Sequence, residues 1–109
     1  MKIYIAGPIT GDPDYKKKFD AVAQKFSQSW PNGRVFNPAT LPEGMKSVDY
    51  MAVCLPMLLR SNVAIFLPGW EESKGAVIEK SLAEYAGISV VTLSLADFAE
   101  RMDLPREET

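Results

Sequence analysis

Apolar and polar positions divide the chain into strands and helices that alternate along the sequence. Short runs rich in β-branched and aromatic residues, each stopped by Gly, Pro or Asn, predict strands. Longer stretches with apolar residues three and four positions apart predict helices. The predicted strands are 2–6, 34–36, 63–67 and 88–93, and the predicted helices are 15–30, 48–59, 74–86 and 94–102.

This β-α repeat predicts a parallel sheet with helices on both faces, because crossovers between parallel strands are right-handed. We expect an α/β fold, a three-layer flavodoxin- or Rossmann-like sandwich whose parallel sheet has four to five strands in the order 2-1-3-4. Residues 1–102 are predicted to form a single domain, and residues 103–109 a polar C-terminal tail. Ligands of such folds bind beyond the carboxyl ends of the strands, at the point where the strand order reverses.

The stretch from Val63 to Ala86 contains the residue with the clearest functional signal, Glu79. Ser73 is a candidate N-cap for the helix that follows the apolar run. On a helical wheel the predicted apolar face consists of Gly75, Ile78, Leu82, Tyr85 and Ala86. Glu79 falls at the edge of that face, away from the polar residues of the helix. Such an acid indicates either a functional carboxylate or an ion pair with a neighbouring Lys or Arg.

Other candidate ligand-binding residues follow the ends of three strands. Gly7-Pro8-Ile9-Thr10-Gly11 follows the first strand, and its glycines would let backbone N–H groups approach a ligand. The segment matches no common phosphate-binding pattern, so an ordinary turn is the alternative. Asn37 could bind a ligand or form a turn. Trp70 could stack on a base or pack at the edge of the core.

Composition narrows the chemistry. The 109 residues carry a net charge of −2, which predicts neither a nucleic acid polymer nor a membrane surface as partner. One cysteine and no histidine exclude a disulfide within the chain, make a conventional zinc site improbable and exclude His-dependent catalysis. We expect no metal and no organic cofactor, so that Asp, Glu, Tyr or Lys must perform any acid–base step. The sequence shows no secretion signal or 18-residue apolar span, which predicts a cytoplasmic protein.

Three segments together resemble the nucleoside 2-deoxyribosyltransferase superfamily, and more narrowly its small DUF4406 branch. They are Ile3-Tyr-Ile-Ala-Gly-Pro8, Asn37-Pro, and Leu67-Pro-Gly-Trp-Glu-Glu-Ser-Lys-Gly-Ala76 with Glu79 and Ala83. The resemblance implies that Glu79 attacks the anomeric carbon of a deoxyribose, displaces the base and forms a glycosyl ester. It also implies that Tyr4 holds and tunes this glutamate, and that a 5′-phosphate binds at Ser73 and Gly75.

The chain departs from the superfamily pattern at three places. Ser73 and Asn62 stand where relatives carry acids, and many relatives have an acid near Cys54. These departures favour hydrolysis of an N-glycosidic bond, in a nucleoside or its 5′-monophosphate, over exchange of bases. The alternatives are a 2-deoxyribosyltransferase, a catalytically inactive nucleotide-binding module and a purely structural protein.

The expected site therefore has two catalytic residues and a set of substrate-binding residues. Glu79 and Tyr4 are the catalytic pair. The substrate-binding candidates are Gly7, Pro8, Ile9, Asn37, Gly69, Trp70, Ser73 and Gly75. Because relatives complete their sites with a neighbouring subunit, the resemblance also implies a homodimer or higher homo-oligomer. Its apolar surface could be formed by Met45, Met51, Met57 and Leu58, although core packing would account for these residues equally well.

Overall fold

Four short parallel strands form the central sheet. The computed structural model describes residues 1–97 of the 109. The strands are β1 (Lys2–Ala6), β2 (Arg34–Phe36), β3 (Val63–Phe66) and β4 (Ser89–Thr92), and the helices are α1 (Tyr15–Ser29), α2 (Ser47–Leu59) and α3 (Lys74–Tyr85), with single 3₁₀ turns at Pro38–Thr40 and Trp70–Glu72. The strand order is β2-β1-β3-β4, and all pairings are parallel. The predicted sandwich and its strand order are confirmed, with four strands in the described residues.

The sheet is covered on one face by α1 and on the other by α2 and α3. Successive side chains of a strand point to opposite faces. Ile3 and Ile5 of β1 therefore pack with Phe19 of α1, whereas Tyr4, on the opposite face, packs with Leu58 of α2. Burial of β1 on both faces explains why its sequence is almost continuously apolar.

The face of α3 that packs on the sheet differs from the predicted one. Ala76, Glu79 and Ala83 are buried, whereas Ile78 is 50% exposed and Tyr85 is 90% exposed. The two alanines have small side chains, so the helix can lie close to the sheet there, and distances between packed elements depend on side-chain size. Glu79 consequently lies in the middle of the buried face instead of at its edge.

Side-chain hydrogen bonds mark the starts of α3 and of the helix that follows β4, whereas α1 and α2 begin without a side-chain cap. Ser73 is the N-cap of α3, as predicted, and its Oγ accepts a hydrogen bond from the Ala76 N–H at 3.3 Å. Ser94 and Asp97 make both hydrogen bonds of a capping box, at 3.1 and 3.3 Å. The predicted continuation of that last helix to residue 102, and the polar tail 103–109, lie outside the described residues.

Candidate active site

A cavity of about 890 Å³ opens at the carboxyl edge of the sheet. It lies beyond the ends of β1 and β3, which are neighbours in the sheet although another strand separates them in the sequence. Its walls are the loop 7–13 after β1, the first two turns of α2, and the segment that connects β3 to α3. This is the position at which open parallel sheets bind their ligands.

Two glycines allow the loops of β1 and β3 to pack against each other below this cavity. A Cβ on Gly7 would lie only 2.8 Å from the Cβ of Leu67. Gly69 has a φ of +87°, and a Cβ there would meet the Cγ of Pro8 at 3.4 Å. A side chain at either position would require the loops to separate or the backbone to change. The structure thus brings residues 7–11 beside the segment from Gly69 to Gly75.

Glu79 and Tyr4 meet in the wall of the cavity. The Tyr4 hydroxyl donates a hydrogen bond to Oε2 of Glu79, and both residues line the cavity. Tyr4 is 1% exposed and Glu79 is 6% exposed. The Tyr4 ring stacks on Phe36 of β2, with ring centroids 5.6 Å apart and planes 10° from parallel. This stacking fixes the direction of the hydroxyl, so the sheet itself positions the donor that holds the carboxylate.

Burial sets the protonation behaviour of the pair. It raises the pKa of Glu79 from its ordinary 4.5 to about 7, and the hydrogen bond from Tyr4 opposes this rise. Burial and the nearby charge of Glu79 raise the pKa of Tyr4 far above its ordinary value, so the phenol remains a neutral donor. No cation contributes to the shift of Glu79. The alternative of an ion pair with Lys or Arg is therefore not supported, and near neutral pH an ionised fraction of Glu79 faces the cavity.

Cys54 of α2 lies in the same wall. It is 3% exposed and lines the cavity together with Tyr4 and Glu79. Burial raises the pKa of its thiol, and the charge of Glu79 acts in the same direction. A neutral, buried thiol is a poor nucleophile. Cys54 is thus a small buried residue that lines the cavity beside the hydrogen-bonded pair.

Six of the eight predicted substrate-binding residues line the cavity: Gly7, Pro8, Ile9, Gly69, Ser73 and Gly75. Ser73 uses its oxygen as an acceptor to cap α3, which leaves its own O–H proton for a ligand. The 12-residue helix that begins here directs its free N–H groups and the positive end of its dipole toward the cavity side. This end of the cavity can therefore receive an anionic group.

The remaining two predicted residues, Asn37 and Trp70, are not among the lining residues. Asn37 caps a 3₁₀ turn by accepting a hydrogen bond from the Ala39 N–H at 2.9 Å, and its amide donates to Asp20 at 2.8 Å. These contacts agree with the alternative prediction, that Asn37 forms a turn. Trp70 packs edge-on against Phe66 at 5.9 Å.

Asn62, one of the three departures from the superfamily pattern, lies at the opposite edge of the sheet. Its side chain accepts a hydrogen bond from the Lys2 N–H at 2.8 Å, just before β3 begins. It is not a lining residue of the cavity. The presence of Asn62, where relatives carry an acid, therefore does not alter the candidate site directly.

Several lining residues escape prediction from the sequence. The first turns of α2 contribute Ser47, Val48 and Met51. The wall also includes Asp12 and Lys18, which form an ion pair at 2.8 Å. Because α2 is apolar almost all round, its periodicity could not indicate which side would meet a ligand.

Fold and site together define a small parallel α/β domain with a buried carboxylate in a switch-point cavity. The chain belongs to the family described as "Domain of unknown function (DUF4406)", which matches residues 1–92. That match includes all four strands described above and the whole cavity wall. Comparisons with curated proteins and with solved structures found no match. Among residues 1–97, no helix has the length and apolar character needed to cross a membrane.

Proposed function

We propose that the protein is an N-glycosidase that hydrolyses the bond between base and sugar in a nucleoside or nucleoside 5′-monophosphate. The observation that supports this proposal most is the hydrogen bond between Tyr4 and the buried Glu79 in the cavity wall. Carboxylates serve as nucleophiles in glycosyl transfer because they can attack an oxocarbenium-like centre and later leave it. The cavity is also of the size that small-molecule ligands occupy.

In the proposed reaction, Glu79 acts through the carboxylate oxygen that Tyr4 does not hold. This oxygen bonds to the anomeric carbon while the carbon–nitrogen bond breaks, and the electron pair leaves with the base, which takes up a proton from water. Water then attacks the anomeric carbon of the glycosyl ester, releases the sugar and restores the carboxylate after loss of a proton. Tyr4 stays neutral throughout, so it can stabilise the carboxylate each time negative charge returns to it.

A phosphorylated substrate fits the start of α3. Ser73 can donate its hydroxyl proton, and the first N–H groups of the helix can bind phosphate oxygens. Lys74 lies in the same wall and adds a positive charge. We therefore propose nucleoside 5′-monophosphates as better substrates than the corresponding nucleosides. The resemblance of the sequence to nucleotide-hydrolysing relatives supports the same preference.

Hydrolysis is favoured over exchange of bases because Ser73 replaces the acid that transferases use to read the base. In this chain that position supplies the N-cap of α3. Water, rather than a second base, would then resolve the glycosyl ester. A transferase of this superfamily remains the alternative that the same experiment distinguishes.

The experiment is a chromatographic assay for free base. The wild type, Glu79→Gln and a matched control, Glu84→Gln, are incubated with ribo- and deoxyribonucleosides and their 5′-monophosphates, each with and without an added second base. Glu84 is on the same helix but is exposed and pairs with Lys80 at 2.9 Å, so its replacement should leave turnover unchanged. Glu79→Gln should reduce base release by on the order of 1000-fold or more.

Each outcome has a definite reading. Base release that survives in Glu79→Gln would refute the role of the nucleophile. No release by the wild type from any substrate, together with a rise in melting temperature on adding nucleotide, would identify a binding module instead. New nucleoside formed only when a second base is present would identify a transferase.

A further inference from the structure

The buried carboxylate of Glu79 carries a charge that no described side chain compensates. It is 6% exposed, and the Tyr4 hydroxyl is the donor that residues 1–97 provide for it. Lys18 and Lys74 line the same cavity, but neither forms an ion pair with Glu79 in this part of the chain. A buried charge without a partner of opposite sign is costly. A ligand that places a positive charge beside Glu79 would remove this cost.

The departing base creates a second requirement, which is a proton. When the bond to a neutral base breaks, the electron pair leaves the glycosidic nitrogen with a negative charge. Enzymes ordinarily meet this charge with a general acid that protonates the leaving group. The 109 residues include no histidine, so the acid would have to be another titratable side chain.

The hydroxyl and thiol groups of the described cavity wall are poorly suited to this task. The Tyr4 hydroxyl donates its proton to Glu79 and stays neutral. The Tyr50 hydroxyl donates to the backbone oxygen of Pro42 at 2.9 Å. Burial raises the pKa of the Cys54 thiol, which therefore holds its proton more tightly. None of these three groups has a proton that it readily gives to a base.

The charged side chains of the wall are engaged elsewhere. Asp12 and Lys18 bind each other at 2.8 Å, and this hydrogen bond lowers the pKa of Asp12, so its carboxyl group is ionised. Lys74 lies at the start of α3, where the proposed phosphate binds. Glu72 is exposed to solvent. The wall formed by residues 1–97 thus holds a buried anion, Glu79, without a free acid to serve the departing base.

We propose that the preferred substrates are nucleoside 5′-monophosphates whose base carries a positive charge, as a pyridinium or an N7-alkylated purine does. Such a base meets both requirements at once. It places a positive charge beside the buried carboxylate of Glu79, and it departs as a neutral molecule without taking up a proton. The inference rests on the proposed function, since it names the class of base that the same site takes.

The bond changes balance without an acid. The free oxygen of Glu79 bonds to the anomeric carbon, the carbon–nitrogen bond breaks, and its electron pair neutralises the charged ring. Water then attacks the anomeric carbon of the ester, the carboxylate is restored, and one proton is released to solvent. The products are the neutral base, the sugar 5′-phosphate and a proton.

The remaining cavity wall suits a flat ring with few polar groups. Ile9, Val48 and Met51 contribute apolar side chains, and Cys54 lies in the wall with Glu79. Sulfur atoms make favourable contacts with aromatic rings. A pyridinium ring has fewer hydrogen-bonding groups than a purine or pyrimidine base, so an apolar wall leaves fewer of them unsatisfied.

Two matched pairs of nucleotides test the preference by release of base. Nicotinamide mononucleotide is compared with its reduced dihydropyridine form, and 7-methylguanosine 5′-monophosphate with guanosine 5′-monophosphate. The members of each pair share sugar and phosphate and differ in the charge of the base. We expect kcat/KM to be on the order of 100-fold higher for the charged member. The two charged nucleotides, compared with each other, distinguish a pyridinium from a purine as the base.

Binding must be measured as well, because a charged base also leaves more easily in water. The probe is carbocyclic nicotinamide mononucleotide, whose sugar has a CH₂ group in place of the ring oxygen and therefore resists cleavage. Calorimetry at about pH 8, where Glu79 is mainly ionised, should show binding to Glu79→Gln that is on the order of 10-fold weaker than to the wild type. Glu84→Gln, on the exposed side of the same helix, should bind as the wild type does. The uncharged carbocyclic analogue of guanosine 5′-monophosphate should bind all three proteins equally, which also verifies their folding.

The results separate this inference from the proposed hydrolysis. Equal binding of the charged probe to the wild type and Glu79→Gln would overturn the inference, and so would base release with no advantage for the charged member of either pair. Neither result would contradict hydrolysis of neutral nucleotides. If the wild type releases no base from any substrate but binds the charged probe through Glu79, the hydrolysis fails and recognition of a charged base stands.

Discussion

Replacing Glu79 with Gln should stabilise the protein above pH 7 and leave its stability nearly unchanged near pH 4.5. Glu79 is 6% exposed, and burial raises its pKa from 4.5 to about 7. Between these two values the folded protein keeps a proton that the unfolded chain has released. The free energy of unfolding contributed by Glu79 therefore falls as pH rises through this window and becomes constant above it.

The magnitude follows from the two pKa values. Moving the pKa of one carboxyl from 4.5 to about 7 corresponds to about 3 kcal/mol. Gln has nearly the same shape, can accept the hydrogen bond from Tyr4 and carries no charge at any pH. The variant should thus gain about 3 kcal/mol over the wild type by about pH 8, which would raise the melting temperature by roughly 10 °C or more.

The assay is urea-induced unfolding of both proteins at several pH values between about 4.5 and 8. The quantity to follow is the difference in unfolding free energy between variant and wild type, since other titrating groups cancel in that difference. Glu84→Gln, on the exposed side of the same helix, should give a small difference that does not change with pH. An equal difference at both ends of the range for Glu79→Gln would refute the burial argument.

Three further predictions test the site. The kcat/KM for base release should rise with pH to a plateau, with a midpoint near 7. In the wild type the hydrogen bond from Tyr4 lowers the pKa of Glu79, so its loss in Tyr4→Phe should move this midpoint to higher pH. An unmoved midpoint would contradict the idea that Tyr4 tunes Glu79. Gly7→Ala should lower the free energy of unfolding in urea by roughly 1–3 kcal/mol, because the new Cβ would lie 2.8 Å from the Cβ of Leu67. Gly75→Ala should not destabilise the protein, since its nearest contact would be 3.7 Å away. Equal effects of the two changes would count against the close approach at Gly7. Ser73→Ala should lower the free energy of unfolding by about 1 kcal/mol through loss of the N-cap of α3. It should also raise KM more for 5′-monophosphates than for nucleosides. An equal change in both KM values would argue against a phosphate at the start of α3.

The fold could be predicted from the sequence because the hydrophobic pattern indicates each strand and helix, and their order along the chain is consistent with one parallel sheet. Buried strands are continuously apolar, and Ser73 and the Ser94–Asp97 pair mark helix starts with hydrogen bonds that the structure contains. With right-handed crossovers, this order of elements leaves few arrangements. The same reasoning brings the loop 7–11 and the start of α3 to one edge of the sheet.

The orientation of α3 could not be derived in the same way, because periodicity finds an apolar stripe without saying what covers it. The helical wheel predicts that the largest apolar residues of α3 meet the sheet. The sheet instead receives Ala76, Ala83 and Glu79, and the carboxylate of Glu79 accepts a hydrogen bond from Tyr4. Such contacts depend on the distance between α3 and the sheet, and this distance cannot be predicted from the sequence of the helix alone.

That exchange of faces determines both the environment of Glu79 and the exposure of the apolar residues of α3. If Ile78 and Tyr85 pointed to the sheet, Glu79 would lie nearer solvent, its pKa would be closer to its ordinary value, and the helix would leave little apolar surface outside. In the observed orientation the carboxylate is buried without a cation, and the apolar side chains of Ile78 and Tyr85 are exposed. Both features reduce the stability of the isolated chain, and conflicts of this kind concentrate at functional sites. A catalytic role for Glu79 would account for the first of them.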